Sequence, residues 1–316
     1  MKLRTKKYKY VFGPVPSRRF GRSVGIDLLP LKTCSLDCVF CQLGRTREKT
    51  IERREYVPTD EVIRELEAWL ARGVETDVIT LSGSGEPTLH THFGEILECI
   101  QSKSKVPTVL LTNGTMLYLP EVRRQAALAD IVKVSLSAWD QASYGWVNRA
   151  HTDLTFEKLV EGERKFREEF KGNLFLEVFL VKGINSLPDD VKKIAALVSQ
   201  IRPDRIQLNT TVRPPAERFA DPLSREELED LTGLFDPPAE IIAEFGKKQA
   251  RNIKANEDAI LSMLQRRPCT AEEISEVFDM NLNEVSKYLG KLMREDLIRP
   301  ERRDLLLYYR ATTGRK

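Results

Sequence analysis

Three of the chain's five cysteines stand within eight residues, in the order Cys34-Ser-Leu-Asp-Cys38-Val-Phe-Cys41. An odd number of cysteines argues against a disulfide framework in a chain without secretory features. Thiolates separated by three and then by two residues can wrap one corner of an iron–sulfur cube. No fourth cysteine lies nearby, so one iron of such a cluster would lack a protein ligand and stay open to a substrate or cofactor.

A structural zinc site is the alternative for these three thiols. Structural zinc usually needs four closed ligands, and the three histidines at positions 90, 92 and 151 offer no near spacing to complete such a set. The other two cysteines fit inert structural thiols, because Cys99 falls on an apolar helical stripe and Cys269 at a predicted helix start. The spacing therefore favours a cluster over zinc.

Alternating strand and helix patterns supply the elements that must position the thiols. Runs of β-branched and apolar residues predict strands at residues 23–29, 76–81, 108–111, 131–136, 175–181 and 205–208. Amphipathic segments predict helices at residues 60–71, 93–102, 120–127, 156–170 and 189–201. This alternation is typical of an α/β fold with parallel strands. Six units predict a partial (βα)6 TIM-like barrel, with its chemistry at the carboxyl ends of the strands.

The strand pattern stops after about residue 222. Ser224 with Glu227 predicts a capped closing helix, and residues 246–256 predict a linker. Helices are then predicted at residues 258–266, 271–278 and 282–295, followed by a hairpin over residues 298–310. This order is that of a winged helix-turn-helix. The expected domains are a basic segment at residues 1–22, the barrel at residues 23–245, the linker, and the winged helix-turn-helix at residues 257–316.

The charge is nearly balanced overall but uneven along the chain. There are 50 Lys and Arg against 47 Asp and Glu, a formal net charge of +3. Residues 1–55 hold 14 basic against 5 acidic side chains, and residues 281–316 hold 9 against 5. A chain that is basic at both ends can meet an anionic partner there, although solvated surface charge explains the pattern equally well.

The apolar residues argue against a membrane or secreted protein. They make up 41% of the chain, but no apolar run approaches the roughly 18–20 residues of a membrane span. The first ten residues, MKLRTKKYKY, lack the apolar stretch of a signal peptide. We therefore expect a cytoplasmic protein.

The cysteine spacing after a first strand resembles that of the radical S-adenosylmethionine (SAM) superfamily. The resemblance implies a [4Fe–4S] cluster on Cys34, Cys38 and Cys41, with SAM on the open iron and Phe40 near the adenine. One electron from the cluster would cleave SAM to methionine and a 5′-deoxyadenosyl radical, which abstracts hydrogen from a substrate. No second cluster or flavin motif is encoded, so the expected partner is an external low-potential donor of the flavodoxin or ferredoxin type.

The second strand ends in the residues 81–88, LSGSGEPT, which resemble the GGEP motif of that superfamily with Ser84 in place of the first glycine. The resemblance implies that Ser84, Gly85 and Glu86 meet the amino group of SAM. Glycine permits a close backbone approach, and Glu86 supplies negative charge. A generic strand-to-helix turn would explain the glycine and proline but not the glutamate.

The next three strand ends carry further candidates. Asn113, in the Thr-Asn-Gly at the end of the third strand, matches a cofactor-rim position of the superfamily, or an ordinary turn. Ser137 and Asp140 after the fourth strand suit the ribose hydroxyls of SAM, although a helix cap explains them almost as well. Lys182 after the fifth strand could face the SAM carboxylate or the substrate.

A narrower resemblance covers roughly residues 8–215. The segments FGPVPSRRFGRSVGID (residues 12–27) and KTCSLDCVFCQLG (residues 32–44) look like the radical SAM subgroup related to 4-demethylwyosine synthase. That relative modifies tRNA with SAM and pyruvate and holds a second cluster on upstream cysteines. This chain has no cysteine before Cys34, so we expect no second cluster and do not carry the reaction over.

Two other functions stay open beside an enzyme of unidentified substrate. One is a wyosine-type tRNA-modifying enzyme, and the other is a redox regulator in which a cluster domain is joined to a DNA-binding winged helix. A redox sensor needs only the cysteines, whereas SAM binding needs all the strand ends. The strand-end motifs therefore favour the enzyme.

Basic residues at both ends of the chain suggest a nucleic-acid partner, tRNA or DNA. Near the cluster, Arg18, Arg19 and Arg22 could grip phosphates or pair with acidic residues of the chain. In the C-terminal domain, the candidates share one face of the third helix or lie at the wing tip: Lys287, Lys291, Arg294, Arg302 and Arg303. Such an arrangement fits a duplex backbone, but many winged helices bind only protein or pack on their own enzyme.

Overall fold

The computed structural model describes residues 8–17, 19–243, 257–303 and 306–312. Ten strands precede residue 244, namely β1 (Val11–Ser17), β2 (Gly21–Ile26), β3 (Thr33–Cys34), β4 (Glu48–Lys49), β5 (Val78–Leu81), β6 (Thr108–Leu111), β7 (Ile131–Ser135), β8 (Asn173–Leu180), β9 (Arg205–Thr210) and β10 (Glu240–Ile241). Eight of them form one sheet in the order β1-β2-β5-β6-β7-β8-β9-β10, and β3 pairs with β4.

The large sheet is parallel except at one edge. Only β1 runs antiparallel, to β2, while every pairing from β2 to β10 is parallel. The six predicted strands correspond to β2 and β5 to β9, which confirms a mixed α/β fold with a largely parallel sheet. The β1–β2 hairpin extends across the boundary predicted between residues 22 and 23, so residues 11–17 belong to the sheet.

Helices connect the strands and bury their apolar stripes on the sheet. They are α1 (Thr59–Leu70), the 3₁₀ turn Pro87–Leu89, α2 (Phe93–Lys103), α3 (Pro120–Ala126), α4 (Gln141–Val147), α5 (Phe156–Glu169), α6 (Pro188–Ile201) and α7 (Arg225–Thr232). In α1, for example, Val62, Leu66 and Trp69 recur at helical spacing and are buried. Together with the apolar residues of the strands they form one main core.

The sheet is curved rather than flat. Arg19, in the turn between β1 and β2, donates to Gln207 on β9 at 2.7 Å and pairs with Glu177 on β8 at 2.8 Å. Three strands, β5 to β7, lie between β2 and β8 in the sheet order, and neighbouring strands are about 4.8 Å apart. An arginine can reach across that width only if the sheet curls, so its two edges approach each other in an open barrel.

The residues from 257 onward form a second group of elements, which we call the C-terminal unit. It contains α8 (Glu257–Arg266), β11 (Cys269–Thr270), α9 (Ala271–Phe278), α10 (Leu282–Arg294), β12 (Ile298–Arg303) and β13 (Leu306–Ala311). Its strands form an antiparallel sheet in the order β11-β13-β12, and it has its own apolar core, in which Cys269 is buried. The predicted linker, residues 246–256, lies outside the described residues.

Among the helices of the described ranges, none is both long enough and apolar enough to span a bilayer.

Candidate active site

The cysteine loop follows β2 and is hydrogen-bonded to the end of α4. Cys34 ends β3, and the backbone amides of Asp37 and Val39 donate to the carbonyl oxygens of Asn148 and Val147, both at 3.0 Å. The amide of Cys41 closes a turn onto the carbonyl oxygen of Cys38 at 3.1 Å. These bonds fix the course of the loop, so the three thiols are presented together at the carboxyl end of the sheet.

Each of the three thiols accepts a hydrogen bond from a different part of the chain. Lys32 Nζ donates to Cys41 Sγ at 3.1 Å, Asn148 Nδ2 to Cys38 Sγ at 3.4 Å, and Asn113 Nδ2 to Cys34 Sγ at 3.6 Å. Such N–H···S bonds around sulfur ligands are a recognised way in which proteins tune iron–sulfur clusters.

The thiols also act on one another electrostatically. Burial raises the pKa of Cys34 to about 12, with the carboxylate of Glu86 as the next cause. Burial, and then the neighbouring Cys41 and Cys34, raises the pKa of Cys38 further still. Three thiolates in this space would need a positive group to neutralise their charge, which iron supplies. The donor set therefore fits an iron–sulfur cluster.

A single metal ion fits the site less well. Within the described residues, no group of three His, Cys, Asp or Glu side chains is arranged around one ion. A cluster does not require this, because each thiolate binds a different iron. His90, one of the histidines considered for zinc, is buried and contacts the carbonyl oxygen of Val57 at 2.9 Å.

The loop after β5 packs directly against the cysteine loop. The amide of Lys32 donates to the carbonyl oxygen of Ser84 at 2.7 Å, and the amide of Glu86 donates to that of Thr33 at 3.2 Å. A Cβ on Gly85 would overlap the carbonyl oxygen of Thr33. Glycine is therefore required here because two backbones meet at this point.

Glu86 is 2% exposed and joins the ends of β5 and β6. Its carboxylate accepts bonds from the Thr88 amide at 3.1 Å, the Thr88 and Thr112 hydroxyls at 2.6 Å each, and the Asn113 amide at 2.7 Å. Burial raises the pKa of Glu86, and these four hydrogen bonds oppose the rise. Glu86 thus holds Asn113, and through it Cys34, in place.

Two other predicted residues have clear positions beside the cysteine loop. Ser84 donates to the carboxylate of Asp27 through its amide at 3.0 Å and its hydroxyl at 2.6 Å. Phe40 stacks on Phe179, with ring centroids 4.0 Å apart and planes inclined by 11°. Both contacts place these side chains at the carboxyl ends of the strands, on the same face as the thiols.

The candidates after β7 and β8 are occupied by local structure. Ser137 is buried and its hydroxyl accepts from the Phe179 amide at 3.0 Å. Asp140 caps α4 in a capping box with Ser143. Lys182 is more than half exposed and pairs with Glu227 at 2.6 Å. The structure does not bring these three side chains into the network around the thiols.

A polar network lies on the inner face of β7, β8 and β9. Glu177 pairs with Arg19 at 2.8 Å and Lys133 at 3.0 Å, and accepts from Asn209 at 2.7 Å. Burial alone would raise the pKa of Glu177, but the two cations outweigh it and hold the pKa below its usual range. Of the N-terminal arginines, Arg22 pairs with exposed Glu75 and Asp77, and Arg18 lies outside the described residues.

Sequence reasoning missed three residues of the site. Lys32 stands two positions before Cys34 and has a left-handed backbone (φ 63°), a conformation that composition does not reveal. Asn148 is 110 residues from the thiol that it contacts. Asp27 ends the segment 12–27, but its bond to Ser84 depends on β2 and β5 lying side by side.

The basic candidates of the C-terminal unit divide into two groups. Lys287 and Lys291 line a shallow cavity of about 620 Å³ on α10, and Arg294 and Arg302 are exposed. Lys291 also pairs with Glu257 at 2.5 Å. Arg303, by contrast, donates to the carbonyl oxygens of residues 213 and 220 in the barrel at 2.8 and 3.1 Å. The predicted wing tip is therefore partly docked on the barrel.

A family model for the Radical SAM superfamily matches residues 28–224, which include the cysteine loop and the ends of strands β5 to β9. The chain belongs to the radical SAM superfamily. As an enzyme of this class it uses a [4Fe–4S] cluster and SAM, for which the donor set of the cysteine loop is suited.

Individual relatives extend the likeness over nearly the whole chain. A UPF0026 protein of Methanocaldococcus jannaschii is 31% identical over 90% of both chains. A protein of Brachyspira hyodysenteriae named GTPase Obg is 36% identical over 95% of this radical SAM chain, which spans only 44% of that relative's length. A solved structure of TYW1 with a lysine–pyruvate adduct bound is 18% identical, covers 72% of this chain and 76% of its own, and has a TM-score of 0.54, a likeness of fold.

Proposed function

We propose that the protein reductively cleaves SAM at one [4Fe–4S] cluster held by Cys34, Cys38 and Cys41, and that it abstracts hydrogen from a substrate. When bound, the cluster and SAM supply a 5′-deoxyadenosyl radical at the carboxyl ends of the strands. The observation that carries the proposal is the set of N–H donors, since Lys32, Asn113 and Asn148 each give one hydrogen bond to a different thiol of the trio.

The residues around the thiols have separable roles in this proposal. Gly85 lets the β5 loop approach the cysteine loop, and the backbone there would meet the amino group of SAM. Glu86 accepts from the Asn113 amide, and the Asn113 side chain donates to Cys34. Phe40 offers an aromatic face beside the loop. Electrons would come from an external flavodoxin or ferredoxin, because the cysteines outside the trio, Cys99 and Cys269, lie singly in helix α2 and strand β11.

The test is anaerobic reconstitution with iron and sulfide, followed by dithionite, SAM and an assay for 5′-deoxyadenosine. Wild type should show cluster absorbance and SAM-dependent deoxyadenosine. Cys38→Ala should lose both, because two thiolates cannot hold a cluster with one open iron. Cys99→Ala, a cysteine on α2, is the matched control and should keep both. Retained cleavage in Cys38→Ala, or a wild-type cluster that binds no SAM, would contradict the proposal.

We further propose that the C-terminal unit is a winged helix-turn-helix joined to a catalytic barrel at residues 246–256. The order of α8, β11, α9, α10, β12 and β13 and the three-stranded antiparallel sheet support this. The side chains of Lys287, Arg294 and Arg302 are exposed, which favours a second candidate function, a tRNA-modifying enzyme of the wyosine type. Since the chain is an enzyme of the radical SAM class, we do not propose the DNA-binding regulator.

Binding of unfractionated tRNA, followed by fluorescence anisotropy at several salt concentrations, tests the second candidate. Lys287→Glu with Arg294→Glu should weaken binding and reduce its salt dependence by about one charge per residue. Lys192→Glu with Lys193→Glu, exposed on α6 of the barrel, is the control pair. Binding that is equal in both double variants would exclude α10 as the nucleic-acid surface.

A further inference from the structure

The C-terminal unit contacts the barrel on both sides of its opening. On one side, the Arg266 guanidinium at the end of α8 lies 3.7 Å from the centroid of the Phe12 ring and 3.6 Å from Asp27 Oδ2. On the other side, the Tyr308 hydroxyl donates to the carbonyl oxygen of Val212 at 3.2 Å. The C-terminal unit therefore bridges the β2 side and the β9 side of the barrel opening.

These contacts lie on the side of the sheet where the parallel strands end; Phe12, on the antiparallel β1, pairs there with Gly25 near the end of β2. Asp27 directly follows β2, and Val212 follows β9 by two residues. A third contact reaches the cysteine loop itself, where Arg310 donates to the carbonyl oxygen of Gln42 at 3.1 Å, one residue after Cys41. The C-terminal unit therefore covers part of the catalytic face and is not a module on a free tether.

Asp27 connects this contact to the loop after β5. Its carboxylate accepts both the amide and the hydroxyl of Ser84, at 3.0 and 2.6 Å. A Cβ on Gly83 would overlap the same carboxylate, so the loop is folded closely around it. Gly85 and Glu86 follow at once in the chain, and both contact the cysteine loop.

The charges at this contact depend on each other. The Asp27 and Arg266 side chains are 10% and 15% exposed, so neither is well hydrated. Burial raises the pKa of Asp27, and the Arg266 cation opposes the rise. Without that cation a buried carboxylate takes up a proton more readily, and a protonated oxygen accepts fewer hydrogen bonds.

We propose that Arg266 is a positioning residue of the cofactor site, through which the C-terminal unit holds Asp27, Ser84 and the residues 83–86 in their place beside the cysteine loop. This inference rests on the proposed function for its effect on SAM, but not for its effect on the loop. In this proposal the C-terminal unit is part of the lining of the active site, and SAM binding depends on that unit.

The experiment compares wild type with Arg266→Met, which keeps most of the side chain's length and removes its charge. Hydrogen–deuterium exchange of the peptide containing Ser84 is measured on the full-length protein without cofactors. The dissociation constant of SAM is measured on the reconstituted protein by anaerobic equilibrium dialysis. Arg299→Met, an exposed arginine on β12, is the matched control.

We expect Arg266→Met to speed exchange at Ser84 by about tenfold and to weaken SAM binding by a similar factor, with cluster content unchanged. Arg266→Lys keeps the charge and should restore most of both. If the methionine variant does not fold, Asp27→Asn replaces it. Asp27→Asn should reproduce the effect, and combining it with Arg266→Met should add little.

The two readouts separate this inference from the proposed function. If wild type binds no SAM but exchange at Ser84 rises in Arg266→Met, the proposed function fails and the positioning role stands. If a folded Arg266→Met shows wild-type exchange and wild-type SAM affinity, the inference is overturned while the function stands. An equal effect of Arg299→Met would also overturn it, because the response would then be one of general destabilisation.

Discussion

The strand ends on the two halves of the sheet carry similar polar residues, but the fold uses them differently. After β5 and β6, Glu86 and Asn113 turn toward the cysteine loop and are bonded to it or to each other. After β7 and β8, Asp140 caps α4 and Lys182 pairs with Glu227. A polar residue at a strand end therefore indicates a cofactor site only when its hydrogen bonds lead to that site.

The largest difference between the two halves, in unfolding free energy and in SAM affinity, is expected for a pair of glycine substitutions. Gly85→Ala would force a Cβ into the Thr33 carbonyl oxygen, which cannot move without moving Cys34. We expect a loss of about 3 kcal/mol in unfolding free energy, at the upper end for overpacking, and a large loss of SAM affinity. Denaturant unfolding and anaerobic SAM binding measure the two effects.

Gly183→Ala after β8 is the matched control. Gly183 has a positive φ, of 71°, and a Cβ there would meet no described atom within 4 Å. The expected cost is about 1 kcal/mol of backbone strain, with SAM affinity unchanged. Equal losses of SAM affinity in both alanine variants would remove the distinction between the two halves.

The next difference concerns two carboxylates that both accept backbone bonds. Glu86→Gln places an amide NH₂ where the carboxylate receives four donors, so at least one donor loses its partner. We expect about 2 kcal/mol of destabilisation and weaker SAM binding. Asp140→Asn should cost less than about 0.5 kcal/mol, because asparagine is an equally good N-cap. Denaturant unfolding of both variants checks this, and an Asp140→Asn loss as large as that of Glu86→Gln would contradict it.

A buried glutamate, Glu163, lies beneath the end of β6. Glu163 is fully buried beside Gly114, and within the described residues neither of its oxygens has a hydrogen-bond partner. Burial raises the pKa of Glu163 well above its usual value, and Lys133 only partly opposes the rise. The folded state therefore keeps a proton that the unfolded chain has already lost above a pH of about 4.3.

The sign of the pH dependence follows from linkage. Between the unfolded and the folded pKa the unfolded chain binds fewer protons, so stability falls as pH rises through that window. Glu163→Gln removes this fall and should be more stable than wild type by about 1 kcal/mol at pH 7.5, with a smaller difference at pH 5. Unfolding curves at the two pH values test it, with exposed Glu161→Gln as the control. A constant difference across the two pH values would show that Glu163 is ionised in the folded protein.

Much of the fold could be predicted because its signals are local. Periodicity located β2 and β5 to β9, and the predicted pair Ser224/Glu227 forms a capping box at the start of α7. β1 was missed because Pro14 and Pro16 hide its strand pattern, which an edge strand tolerates.

The site could be predicted only where its residues form a contiguous motif. The cysteine spacing and the segment 82–88 are readable along the chain. The N–H donors to the thiols and the Arg266–Asp27 pair depend on which strands lie side by side and on where the C-terminal unit docks. No local pattern encodes such contacts, because any asparagine or arginine of the right length could make them.

The smallest expected effect compares two lysines, one in each half. A reduced cluster carries one more negative charge than an oxidised one, so a cation beside it stabilises the reduced form and raises its potential. Lys32 is buried with Nζ 3.1 Å from Cys41 Sγ, whereas Lys182 pairs with Glu227. Lys32→Met should therefore lower the cluster's reduction potential by some tens of millivolts, where about 59 mV is tenfold for one electron. Lys182→Met should leave it unchanged, and Lys32→Arg should restore most of it.

Redox titration monitored by electron paramagnetic resonance measures these potentials on the reconstituted proteins, without any substrate. The lysine comparison is sharper than an activity assay, because a loss of cluster content lowers activity but leaves the potential of the remaining clusters unchanged. A shift in Lys32→Met that Lys32→Arg does not reverse would assign the effect to the shape of the loop rather than to the charge. A shift of equal size in Lys182→Met would mean that charge acts on the cluster from both halves of the sheet, and the contrast between them would then lie only in packing.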